Sequence, residues 1–150
     1  MLCLNAVELD FIKDLLKHKV RFVIVGGHAV IYYGHMRVTK DLDLLIETSS
    51  QNMHQLRLAF AAMGIDLDDE RVKRMDAPKV IIPIHKFRIE LLTSVDGISF
   101  SEAYAEALFV MKEGVHIPMI SLPHLLQSKS AANRERDLED VKILLEINRA

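Results

Sequence analysis

Asp41 and Asp43 alternate with leucine at the start of the apolar run DLDLLI. Alternate side chains of a β-strand project to the same face, so these two carboxylates would lie side by side. Like charges that close repel each other unless a cation neutralises them. The pattern therefore indicates either a divalent metal site of hard oxygen ligands, suited to Mg²⁺ or Mn²⁺, or an exposed strand face bridged by Lys40 or Arg37.

Glu90 is the lone acid inside a second apolar run, FRIELL. A buried carboxylate without a partner is costly, so this residue needs a cation or a base nearby. One reading places Glu90 on a strand beside Asp41 and Asp43, where it completes the ligand set of a two-ion phosphoryl-transfer site. The alternative is a salt bridge to Arg88 on its own strand.

A glycine pair, Gly26 and Gly27, separates the β-type run RFVIV from the short helical pattern HAVIYYG. Bare backbone N–H groups at such a strand-to-helix turn can bind phosphate, although tight turning is an equally ordinary role. The pair fits neither the GxGxxG pattern nor the GxxxxGK[ST] pattern, so dinucleotide-binding and P-loop sites are not indicated.

Hydrophobic periodicity and capping signals give the elements that must position these residues. They predict helices at about residues 6–19, 28–34, 50–63, 99–111, 121–133 and 137–148. They predict strands at about 21–25, 41–46, 79–84, 87–92 and 115–120. The runs around His85 and Lys86 suggest an antiparallel hairpin, with Pro83 favouring an edge position. Because helices and strands do not alternate strictly, we expect an α+β fold, a small mixed sheet flanked by helices with a helical C-terminus.

Length, charge and composition limit which other functions are expected. A chain of 150 residues is expected to form a single domain, with a core at about 21–120 and C-terminal helices at about 121–150. Net charge is -2, so general nucleic-acid or anionic-membrane binding is not expected. The single cysteine, Cys3, excludes a disulfide framework, and dispersed histidines argue against zinc. No apolar run reaches the roughly 18 residues of a membrane span, so we expect a cytoplasmic protein.

The strings VGGHAVIYYGHMRVTKDLDLLIE and FRIELLTSVDG resemble the polymerase-β-type nucleotidyltransferase superfamily. The resemblance is to its small bacterial stand-alone members, which include relatives of abortive-infection and toxin–antitoxin proteins. Those proteins share a glycine pair, an Asp-x-Asp strand and a third carboxylate on a later strand, at positions matching Gly26 and Gly27, Asp41 and Asp43, and Glu90. The resemblance spans about residues 21–100, with a weaker match in KSAANRERDLEDVKIL.

The resemblance implies a nucleotidyltransferase-like fold and a metal-dependent transfer of NMP from an NTP to a hydroxyl of a protein, RNA or small molecule. Asp41 and Asp43 would bind both ions, and Glu90 would bind the ion nearer the acceptor and help deprotonate its hydroxyl. The residues implied to contact the nucleotide are Gly26, Gly27, His28, Arg37, Thr39, Lys40, Lys129 and Arg134. For the C-terminal bases, the alternative is a salt bridge to neighbouring acids of the same helices.

Two positions depart from the family pattern, and they support a competing hypothesis. Many active members carry Gly-Ser where this chain has Gly26-Gly27, and aspartate is commoner where Glu90 stands. These departures favour a non-catalytic nucleotide-binding or antitoxin-like partner protein, whereas the intact Asp41 and Asp43 favour the enzyme. A phosphohydrolase with a DxDx[TV] motif would need Thr or Val where Leu45 stands. The short segment after the hairpin suggests that a second subunit or a homodimer recognises the acceptor.

Overall fold

A computed structural model describes residues 1–149, without the side chain of Asp69. Within this part of the chain the strands are β1 Phe22–Val25, β2 Leu42–Ile46, β3 Ile81–Ile84, β4 Ile89–Leu92, β5 Leu108–Lys112 and β6 Val115–Met119. The helices are α1 Ala6–Lys17, α2 Gly26–Tyr32, α3 Ser50–Met63, α4 Asp69–Arg74, α5 Phe100–Ala105, α6 Leu122–Ala132 and α7 Glu135–Ile147. A single 3₁₀ turn, His85–Phe87, joins β3 to β4.

The strands form one mixed sheet of order β3-β4-β2-β1-β6-β5. The central strand β2 runs antiparallel to β1 and parallel to β4. Every residue of β1 is buried, as are the leucines of β2, because helices cover the sheet and leave these apolar runs no contact with water. The predicted architecture, a small mixed sheet flanked by helices with a helical C-terminus, is confirmed.

The helix boundaries follow the capping signals in the sequence. Asn5 and Glu8 form a reciprocal capping box at the start of α1. Ser49 accepts a hydrogen bond from the Asn52 N–H at the start of α3, and Gly64 ends that helix with a φ of 72°. The predicted hairpin is also present: β3 pairs antiparallel with β4, and Pro83 lies in the edge strand as expected.

The predicted helix at 99–111 is wrong in its second half. The helix begins at the expected capping box of Ser99 and Glu102 but ends at Ala105, and the residues that follow form strand β5. Strand β5 pairs with β6 through a two-residue turn in which Glu113 and Gly114 both have positive φ, 45° and 82°. Such a turn matches the twist of an antiparallel hairpin, and the pairing overrides the helix propensity of this segment.

The C-terminal helices pack against each other and separate where the sequence predicted a break. Ser121 caps α6, and Asn133 ends it in the left-handed conformation with a φ of 58°. Helix α7 then buries two acids, Asp137 and Asp140, each only 1% exposed. Among the described residues, no helix is both long and apolar enough to cross a membrane.

Candidate active site

The parallel register of β2 and β4 places Asp43 directly beside Glu90. Residues paired across adjacent strands project to the same face. These two carboxyl groups therefore meet, although 46 residues lie between them in the sequence. Both side chains are partly buried. Asp41 lies just before β2, and its negative charge also reaches Asp43. The structure thus brings the three predicted acids to one region, with Asp43 and Glu90 in closest association.

Burial first, and then the charge and hydrogen bond of Glu90, raise the pKa of Asp43 from 3.8 to about 7. The rise in the pKa of Asp43 shows that burial and neighbouring acids disfavour its charged form more than the nearby His28 favours it. Within residues 1–149, neither Lys40 nor Arg88 forms an ion pair with these acids, and Arg37 pairs with Asp140, so the salt-bridge alternatives are absent there.

A divalent cation fits this carboxylate pair, because hard oxygen ligands with surplus negative charge are the donors that Mg²⁺ and Mn²⁺ prefer. Across the described chain, no three His, Cys, Asp or Glu side chains are already grouped as a complete metal cluster. Magnesium commonly takes only one or two protein carboxylates and completes its shell with water and substrate phosphates. The donors present are therefore Asp43 and Glu90, with Asp41 as the nearby third acid.

The two glycines after β1 are required by close approaches to other site residues. Gly26 has a φ of 68°, and a Cβ at this position would collide with the carboxylate of Asp43. A Cβ at Gly27 would collide with Thr39, whose own Cβ would be 2.6 Å away. The space that a serine side chain would need at position 27 is therefore occupied by Thr39, which approaches from the loop that leads into β2.

Asp43 lies on the wall of a cavity of about 360 Å³. Four of the residues predicted from sequence line it together: Gly26, Asp43, Lys129 and Arg134. Its other charged and hydroxyl groups come from the segment before β3, from the loop after β4 and from α6 and α7: Lys79, Ser94, Asp96, Ser128 and Asp137. The cavity thus places cationic side chains from several elements around the acid of β2.

Asp140 of α7 is the centre of a buried charge network beside this cavity. Arg37 binds it with two parallel hydrogen bonds, Nε to Oδ1 at 3.0 Å and Nη2 to Oδ2 at 3.1 Å. Lys129 Nζ lies 3.0 Å from its Oδ2, and His35 Nδ1 lies 3.2 Å from its Oδ1. Burial alone would raise the pKa of Asp140, but the hydrogen bonds from Lys129 and Arg37 hold it below its ordinary value. The network anchors the loop before β2 to the C-terminal helices.

Asp137 is held in the same way by Lys129 and Arg134. The Arg134 Nε donates to Asp137 Oδ2 at 2.6 Å, and Lys129 Nζ donates to Oδ1 at 3.3 Å. The hydrogen bond and charge of Asp137 raise the pKa of Arg134, with smaller contributions from Asp96 and Asp43. Lys129 is buried, whereas the Arg134 side chain is 69% exposed and borders the cavity. Arg134 therefore keeps surface available for a ligand, and Lys129 is engaged inside the protein.

His28, predicted to contact nucleotide, is buried and directed at α1. Its Nε2 lies 3.4 Å from Glu8 Oε2. Burial alone would raise the pKa of Glu8, but the hydrogen bond from His28 and the Asn5 backbone N–H hold it below its ordinary value. This pair connects α2 to α1 near Asp43. Lys40, which was also predicted to contact nucleotide, is exposed on the surface.

Sequence reasoning missed Lys79 and underestimated Asp137 and Asp140. The signal for the two aspartates was present: they recur at a spacing of three on a helix after Arg134, a spacing that places both on one face. For Lys79 the signal was its position after Pro78, where a turn residue is expected. Neither pattern indicates which distant element such a residue would contact.

Comparisons with known proteins identify the family and support the fold. A crystal structure of a candidate nucleotidyltransferase from Thermotoga maritima superposes with a TM-score of 0.56 at 15% sequence identity, covering 92% of this chain and 89% of that one. At this identity the likeness establishes the fold. No curated protein matches the sequence. The profile of the family described as "Nucleotidyl transferase of unknown function" (DUF2204) matches residues 6–150. The chain belongs to this nucleotidyltransferase family.

Proposed function

We propose that the chain is a metal-dependent nucleotidyltransferase that moves an NMP group from an NTP to a hydroxyl of a protein, RNA or small molecule. The observation that carries the proposal is the pairing of Glu90 with Asp43, which lies on the wall of a cavity that Arg134 also lines. A nucleotide's phosphates require positive charge, and the acid pair requires a cation. A metal–nucleotide complex satisfies both requirements at once.

In this proposal Asp43 and Glu90, with Asp41, hold Mg²⁺ or Mn²⁺. When bound, such an ion supplies charge neutralisation for the phosphates and polarises the reacting phosphoryl group. Arg134 binds and orients the phosphates from the α6–α7 side of the cavity. Gly26 allows the Asp43 carboxylate to approach the backbone closely, because a Cβ at this position would collide with it.

The transfer itself exchanges one phosphorus–oxygen bond for another. The acceptor oxygen forms a bond to the α-phosphorus, the bond from that phosphorus to the α–β bridging oxygen breaks, and pyrophosphate leaves with the electron pair. A carboxylate oxygen of Glu90 accepts the proton that the acceptor hydroxyl loses. In-line placement of the acceptor oxygen and the phosphates contributes much of the rate acceleration.

The test is transfer of label from NTPs radiolabelled at the α-phosphate, with Mg²⁺ or Mn²⁺ and a cell lysate as the source of acceptors. The wild type should label at least one acceptor, and Asp43→Asn and Glu90→Gln should each reduce labelling by about 100-fold or more. Glu47→Gln is the matched control, because Glu47 directly follows β2 but pairs with Arg21. Equal labelling by all four proteins would refute the assignment of the acids.

A non-catalytic nucleotide-binding or antitoxin-like protein is the second candidate. It is supported by the engagement of Arg37 and Lys129 with buried Asp140, and by Thr39, which fills the space next to Gly27. Calorimetry with a magnesium–NTP complex distinguishes the two functions: this candidate predicts binding without transfer of label to any acceptor. Light scattering during gel filtration, alone and with lysate proteins, tests whether a homodimer or a partner subunit supplies acceptor recognition.

A further inference from the structure

Lys79 lines the same cavity as Asp43 and Arg134, on a segment that nothing in the sequence pattern marked as functional. It lies just before β3, at the open end of the hairpin that carries Glu90, and its side chain is exposed. Arg134 reaches the cavity from a separate element, the junction of α6 and α7. Two cations from independent parts of the fold therefore border the cavity that contains the acid.

The backbone at Lys79 is one that lysine rarely adopts. Its φ is 61°, in the left-handed region, and it follows Pro78 in a turn. The second corner of a turn with positive φ favours glycine, which has no Cβ to clash. The Lys79 N–H donates to Ser94 Oγ at 2.7 Å, which fixes the turn against the segment that follows β4. The turn therefore holds the Cα of Lys79 at the cavity rim, whereas Lys19, which has a similar φ, does not line the cavity.

The charge of Lys79 has no partner in the part of the chain that the structure describes. Arg134, by contrast, is bound to Asp137, and Lys129 to Asp137 and Asp140. Lys79 is thus the cavity cation whose ammonium group remains available to a ligand. An ammonium group on a long flexible stem binds phosphate oxygens as a point charge, whereas the planar Arg134 guanidinium orients them.

We infer that Lys79 is a phosphate-binding residue, which with Arg134 binds the β- and γ-phosphates of the nucleotide. This inference rests on the proposed function, because it places the leaving pyrophosphate between these side chains. Lys79 then binds the leaving pyrophosphate, which the acids do not contact. It does so from the side of the cavity formed by the β3–β4 hairpin.

The test is a calorimetric titration with magnesium tripolyphosphate, which carries the phosphates without a base or sugar. Lys79→Gly should weaken binding about 10- to 100-fold, as expected for loss of one charged hydrogen bond. It should leave thermal stability equal to or above that of the wild type, since glycine fits the backbone. Lys79→Arg should bind within about threefold of wild type, because it keeps the charge.

Lys19→Gly is a closely matched control. Lys19 is also exposed and also has a left-handed φ, 58°, but it follows α1 and does not line the cavity, so binding should not change. Equal affinity of Lys79→Gly and wild type would overturn the inference while leaving the proposed function intact. Failure of the wild type to bind either magnesium tripolyphosphate or a magnesium–NTP complex would overturn both.

Discussion

Replacing Asp43 by asparagine should stabilise the protein at alkaline pH, although it removes a site residue. Burial and Glu90 raise the pKa of Asp43 in the folded protein from its ordinary 3.8 to about 7. Between these values the folded state binds more protons than the unfolded state, so the free energy of unfolding falls as pH rises through this window. Asparagine has the same shape and no charge to bury, so the variant escapes this loss.

The size of the effect follows from the two pKa values. With pKa values of about 7 in the folded protein and 3.8 in the unfolded protein, the free energy of unfolding of the wild type falls by about 2–3 kcal/mol from pH 5 to pH 8. This fall is measured relative to Asp43→Asn. The full penalty above neutral pH is on the order of 4 kcal/mol, at about 1.4 kcal/mol per pKa unit. A loss of this size is a large fraction of the stability of a small domain.

The assay is urea unfolding followed by circular dichroism at pH 5, 6, 7 and 8, with a chelator present throughout. Subtracting the wild-type curve from that of Asp43→Asn cancels the titratable groups that do not interact with Asp43. The difference therefore reports Asp43 together with its interacting neighbours Glu90, Asp41 and His28. Asp10→Asn, an exposed aspartate of α1, serves as the control and should show a flat difference. A flat difference for Asp43→Asn, or a wild type that is the more stable protein at pH 8, would refute the reasoning.

Three further predictions follow from the site. At pH 8, saturating Mg²⁺ should raise the urea midpoint of the wild type but not that of Asp43→Asn, because ligand binding to the folded state stabilises it. Gly27→Ala should cost about 1–3 kcal/mol of unfolding free energy through its clash with Thr39, and adding Thr39→Gly should restore most of that loss in the same assay. Asp140→Asn should cost about 3–5 kcal/mol, measured by urea unfolding, because the buried Lys129 and the partly buried Arg37 both lose its charge.

The sequence predicted most of the sheet because its signals are local. Alternating acids identified β2 and the face on which Asp43 lies, with Asp41 just before the strand, and the lone Glu90 in an apolar run identified β4. Caps and turn residues gave most helix boundaries within a few residues. These signals depend on interactions between neighbours in sequence, so the local sequence is sufficient to predict these elements.

What the sequence did not predict depends on contacts between distant segments. Strand β5 replaced the second half of a predicted helix because pairing with β6 outweighed helix propensity, and the Glu113-Gly114 turn was the overlooked signal. The bond between Arg37 and Asp140 joins residues 103 positions apart, so no periodicity could indicate it. Arg37 and Lys129 illustrate the same limit. Both were predicted to bind phosphate, but a basic side chain binds a buried aspartate equally well, and both bind Asp140.

The contrast between two pairs of acids supports a site at Asp43 and Glu90 more strongly than either pair does alone. Asp137 and Asp140 are almost fully buried, and their basic neighbours hold the pKa of each below its ordinary value. Asp43 lines the same cavity as Asp137, and Glu90 pairs with Asp43 across the sheet. In the described residues no basic side chain forms an ion pair with Asp43 or Glu90, and the pKa of Asp43 rises. The same fold thus neutralises the acids that hold its helices together and leaves the strand acids uncompensated. An uncompensated pair is destabilising unless a charge from outside the chain completes it, which is what a bound cation and its nucleotide would supply.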